Sequence, residues 1–272
     1  LGLQLATLEG QIGVFSAAAV QYGQRAVEMA LALNHQAVLN LLGRSADPLR
    51  LTGAACDEES VQHELAQSDS RGTLTAFLIV KAHLAYQFDD IDAALALADQ
   101  VRPRLREIAG FFAYPRFLAL DALIRLAACD QAGRGARRRL LRQAKGNLRL
   151  LQTWARETPM NHLHDVRLAQ AELARVQGRR DEAAAHYAAA IALSRQHGWV
   201  ADEPLAAERA ARFFLAAGQT AQAREFLHLA QTGYRGWGAL AVVQHIDRVY
   251  GAWLSEGPVE SPGPQGTPPA GA

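Results

Sequence analysis

The chain has 272 residues, 50% of them hydrophobic, which is enough to bury a sizeable core. Its formal net charge of +1 gives no global field that would steer it to nucleic acid or to an acidic membrane, so neither is expected as a partner. Aromatic residues make up only 7% while Ala and Leu dominate, which favours helix over strand.

Two cysteines, Cys56 and Cys129, supply neither a disulfide framework nor a metal-ligand spacing. There is no signal-peptide pattern and no apolar run of about 18 residues, so a reducing cytosol is the expected compartment. The chain opens on Leu1 rather than Met, and a piece of a longer polypeptide is expected.

Residues 1–21 are apolar and interrupted by Gly, as in the remnant of a preceding helical repeat. From Tyr22 to Leu42 the positions Ala26, Met29, Ala30, Leu33, Ala37 and Val38 keep helical spacing, and Gly43 ends the run. Arg44 to Ala55 reads as loop, with Asp47-Pro48 as a turn. Asp57-Glu58-Glu59 opens a short helix, its acids complementing the helix dipole.

Thr73–Tyr86 and Asp90–Val101 form the next hairpin, with Pro103 expected to end or kink its second helix. Phe112 to Cys129 is apolar and helical, Pro115 lying in its first turn. An amphipathic helix follows from Ala136 to Arg156, with Leu140, Leu141, Ala144, Leu148, Leu151 and Trp154 as its apolar stripe. Thr158-Pro159 starts a helix reaching Val176. Further helices are expected over 181–197, 204–216, 220–234 and 239–254. Residues 257–272 hold five of the ten prolines and cannot bury a core, so they read as a disordered linker or tail.

The last part of this run repeats. Gly178 is followed by Ala183, Tyr187, Ala190 and Gly198 at offsets of 5, 9, 12 and 20. Gly218 is followed by Ala223, Leu227, Ala230 and Gly238 at the same offsets. A gapless self-match at a period of 40 marks stacked helical hairpins, which bury their apolar faces only against neighbours. A weaker copy sets Phe88 at the Gly position, followed by Ala93 and Leu97. Residues 22–256 therefore read as a degenerate tetratricopeptide-like domain: all-α, a right-handed superhelical stack of about six helical pairs.

The block Trp154-Ala155-Arg156-Glu157-Thr158-Pro159-Met160-Asn161-His162-Leu163-His164, with Ala171-Glu172-Leu173-Ala174-Arg175-Val176-Gln177-Gly178, resembles the helical region of large bacterial hybrid kinases. The likeness extends through Ala183, Tyr187, Ala190, Ile191 and Tyr234-Trp237-Gly238-Ala239. Upstream it includes Gln36 to Gly43 and Asp57-Glu58-Glu59, so it spans nearly all of residues 22–250. Proteins of that family join a serine/threonine-kinase-like domain, a signalling ATPase, this helical region, a GAF sensor domain and a histidine kinase. The resemblance implies a non-catalytic scaffold that relays signals to neighbouring kinase domains. Its implied partners are other domains of the same polypeptide or a signalling protein, with a small-molecule effector as a further candidate. The alternatives are the sensor region of an ATP-dependent transcriptional regulator and a free-standing adaptor.

The residues themselves offer no catalytic signature. There is no G-x-x-x-x-G-K-[ST] loop and no protein-kinase motif, and His63-Glu64-Leu65 lacks the continuation of a phospho-acceptor site. No cofactor and no metal site is expected. His162 and His164, two apart on a helix, point about 200° away from each other and cannot grip one ion together. They and Asn161 remain candidates for contact with a ligand. Arg138, Arg142, Lys145 and Arg149 share a helix face within a basic run that also holds Arg134, Arg137 and Arg139. That run reads either as a docking surface or as a solvated face. Trp154, Trp199, Trp237 and Trp253 are expected to pack into the core near helix ends.

Overall fold

A computed structural model describes residues 2–67 and 71–255. Every regular element among the described residues is a helix, with no strand. The first elements are α1 (Leu5–Gln21), α2 (Arg25–Leu41), α3 (Glu58–Gln67), α4 (Arg71–Gln87) and α5 (Ile91–Val101). A 3-10 turn (Arg102–Ile108) follows, then α6 (Ala113–Ala128), α7 (Arg134–Glu157), α8 (Pro159–Val176) and α9 (Arg180–Gln196). The chain ends in α10 (Asp202–Ala216), α11 (Thr220–Trp237) and α12 (Leu240–Ser255). The expected tail, 257–272, lies outside the described residues.

Consecutive helices pack in antiparallel pairs: α1 with α2, α4 with α5, α6 with α7, α8 with α9 and α10 with α11. A second set of contacts links α2 to α4, α4 to α6, α6 to α8 and α8 to α10, which stacks the hairpins into a solenoid-like layer. The period follows from the turns. Gly178, at φ 75°, takes the left-handed conformation, and the Arg179 amide bonds back to Ala174 O at 2.9 Å. Gly218 repeats this with the Gln219 amide on Phe214 O. Ala183, Tyr187 and Ala190 in one repeat, and Ala223, Leu227 and Ala230 in the next, are all fully buried, as the shared offsets require.

In the weaker copy the register differs by one residue from expectation. The left-handed residue is Asp89 (φ 66°), not Phe88. Ala94, Ala98 and Val101 are the buried positions, at offsets 5, 9 and 12, while Ala93 and Leu97 are only partly buried. Aspartate, like asparagine, tolerates this conformation better than most side chains, so it can stand where the other turns have Gly.

Asp89 does more than turn the chain. Its carboxylate accepts from Arg212 Nη1 at 2.5 Å and lies 3.0 Å from His245 Nε2 and 3.4 Å from Arg209 Nη1. Arg209 also lies 4.3 Å over the Tyr86 ring, and Gln87 donates to the Tyr234 hydroxyl, which donates to Glu208. These contacts fasten the α4–α5 turn to α10, α11 and α12. The stack also meets itself, because α2 lies against α12 and a Cβ on Gly43 would sit 3.7 Å from Ala241 N.

Two tryptophans depart from expectation. Trp199 and Trp237 are buried, but Trp154 is 41% and Trp253 39% exposed. Leu141 is only partly buried, so the apolar stripe of α7 narrows to Leu140, Ala144, Leu148, Leu151 and Ala155. Glu58 is also more than a helix-start acid. It is buried, accepts from the Leu51 amide and pairs with Lys81 at 2.8 Å, tying the preceding loop to α4.

Candidate functional site

Two prolines shape the site. Pro103 has no amide hydrogen, so α5 stops at Val101 and the backbone continues as the 3-10 turn. That turn delivers Ala109, Gly110, Phe111 and Phe112 as an outward loop, with Phe111 68% exposed. Pro159 forces Thr158 out of the helical region, to φ −135°, which breaks α7 from α8. The corner sets Trp154 and Glu157, three apart on α7, opposite Asn161 and His162 in the first turn of α8.

Between this corner and the Phe111–Phe112 loop lies an open cavity of about 660 Å³, with Pro115 and His162 also in its lining. Its size and mostly apolar lining suit a small organic molecule. A run of rings builds the wall. His162 lies 6.0 Å edge-on from Trp154 and 6.2 Å from Phe112. Phe112 lies 6.3 Å from Trp199 at an interplanar angle of 4°, and Trp199 stacks on His164 at 4.9 Å. Trp199 Nε1 donates to Met160 O at 2.9 Å, fixing the ring that supports Phe112.

His162 is buried, and its Nδ1 has no hydrogen-bond partner. Burial lowers its pKa, with His164 and Arg116 adding to the effect and Asp165 opposing it. The neutral imidazole has one donor and one acceptor to offer. The hydroxyls that line the cavity are already occupied, Thr153 donating to Leu150 O and Thr158 to Trp154 O.

Behind the rings lies a buried polar layer. Arg116 donates to Asp165 at 2.9 Å and to Asp202 at 2.6 Å, and its guanidinium is 5.6 Å from the Trp199 ring centre. Burial opposes the charge on Asp202, but Arg116 and His164 hold its carboxyl well below the usual carboxylate range. His83, facing the same layer, is pushed down to about 4 by burial and by Arg116. His164, Asp165 and Asp202 bring ligand atoms within 4.8 Å of one another, as a metal site would. The guanidinium of Arg116 bridges the two carboxylates.

The sequence candidates thus separate into three places. Asn161 and His162 line the cavity, and His164 belongs to the polar layer behind it. Arg138, Arg142, Lys145 and Arg149 are exposed along α7, beside a shallow groove of about 320 Å³ with Leu141. Arg137 leaves that run: it donates to Cys129 O and Val176 O, capping the C-terminal ends of α6 and α8. Phe111, Phe112, Trp154 and Glu157 were not among the candidates, nor were Arg116, Asp165 and Asp202. The only local signal for them is the Pro103 and Pro159 pair that sets the loops.

Fold and site together define a helical-hairpin stack carrying an aromatic-lined cavity at the junction of two hairpins. No protein-family model matches this chain, and no curated protein matches it. Among the described residues, no helix is long and apolar enough to cross a membrane.

Proposed function

We propose that this chain is a non-catalytic, ligand-sensing helical scaffold that relays occupancy of one cavity to neighbouring domains. The observation that supports this reading is the cavity of about 660 Å³ lined by Phe111, Phe112, Trp154 and His162. A ligand there bridges the α6–α7 hairpin and the start of α8, so it biases the angle at which two hairpins stack. Trp154 shares α7 with the basic stripe Arg138, Arg142, Lys145 and Arg149, so cavity and stripe move as parts of one rod. In a signalling kinase of the kind the sequence resembles, a coupling of about 1–3 kcal/mol would bias an adjoining kinase or ATPase domain.

A neutral aromatic dye, N-phenyl-1-naphthylamine, tests the site. The expected result is saturable one-site fluorescence enhancement that weakens at least about tenfold in Trp154→Ala and Phe112→Ala. Both side chains are partly exposed, so both variants should fold. Identical titrations in wild type and variants would remove the cavity from the account. The flanking coding sequence tests the setting: kinase, ATPase and GAF modules fit the relay, and a helix-turn-helix fits a transcriptional regulator.

A further inference from the structure

We infer that the cavity takes a planar aromatic cation, such as an arylamidinium or a protonated amino-heterocycle, an inference that rests on the ligand-binding reading above. Two observations give the sign and shape. The lining holds the aromatic rings of Trp154, Phe111 and Phe112, whose quadrupoles can attract a flat cation. Glu157, an exposed carboxylate, is the one charged side chain in the lining.

The surroundings do not reverse that sign. The C-terminus of α7 and the N-terminus of α8 meet at the cavity, so their opposite dipole ends offset each other. The layer behind holds one guanidinium against two carboxylates, together with His164, so it presents no net positive charge in either state of that imidazole. A carboxylate or phosphate ligand would find no cation in the lining and would face Glu157. A flat cation can stack on the rings and place its charge toward Glu157.

Three isosteric probes separate charge from shape: 4-aminobenzamidine (cation), 4-aminobenzamide (neutral) and 4-aminobenzoate (anion). By calorimetric titration the amidine should bind about tenfold tighter than the amide, with the benzoate weakest. Glu157→Gln should bring amidine and amide within about threefold of each other, and Trp154→Ala should weaken all three. If amide or benzoate binds as well as the amidine and all are lost in Trp154→Ala, the charge inference is overturned and the cavity reading stands. If none of the three saturates, or Trp154→Ala changes nothing, both are overturned.

Discussion

Asp89 shows how a single residue can serve both turn and tertiary structure. Glycine would relieve its positive φ by about 1 kcal/mol, since that conformation costs other side chains roughly this much. The same substitution would strip Arg212, Arg209 and His245 of their common carboxylate, a loss of about 3 kcal/mol for a largely buried cluster. Asp89→Gly should therefore destabilise the chain by about 2 kcal/mol in urea unfolding, although it restores the residue used at the other turns. A stabilised variant would mean that the charge cluster contributes little. His83 makes a pH-dependent contribution of the opposite chemical kind. Unfolded, it takes up a proton near 6.5, but in the folded chain only near 4, chiefly because burial disfavours the charge. The unfolded state binds the extra proton in between, so stability should fall as pH drops from above 6.5 to below 4. His83→Gln should flatten the Tm profile across that window. An unchanged slope would show that other groups carry it.

Among elements, the packing of α11 on α10 and the open face of α7 give opposite answers to one substitution. Gly233 lies in α11, where an added Cβ would come 2.8 Å from Pro204 Cβ, so Gly233→Ala should cost about 1–3 kcal/mol despite better helix propensity. Gly146 lies in α7 with nothing within 4 Å of such a Cβ, and Gly146→Ala should stabilise by about 0.5–1 kcal/mol. Thermal unfolding of the pair checks both signs. At this scale much of the fold was legible, because gapless offsets from Gly178 and Gly218 encode the burial of Ala183, Tyr187, Ala223 and Leu227 directly. The Phe88 register was misread because Ala93-Ala94 satisfies the small-residue offset in either frame, and the left-handed role of Asp89 emerges only with its partners in α10 and α12. The site was legible only at Asn161 and His162. Phe112 and Trp199 meet across 87 residues, and no local pattern announces that contact.

For the whole molecule, long-range fastenings set this chain apart from an open row of repeats. In an open row each hairpin feels only its neighbours and can unfold piecemeal. Here Gln87, Tyr234 and Glu208 join α4, α11 and α10 through one hydroxyl, and α2 meets α12. Unfolding should be a single transition by circular dichroism and by tryptophan fluorescence alike. Tyr234→Phe, which leaves Gln87 and Glu208 without that hydroxyl, should lower the whole transition by about 1–3 kcal/mol. Separate transitions for the two probes would show instead that the two halves melt independently.

The central claim is that the corner between α7 and α8, with the Phe111–Phe112 loop, is where a small molecule binds. Hydrogen–deuterium exchange with and without saturating N-phenyl-1-naphthylamine tests it most directly. Slowed exchange should concentrate in residues 109–115 and 153–164, with little change around Asp89. Protection centred on α10–α12, or none in those two segments while the dye is bound, would contradict the claim.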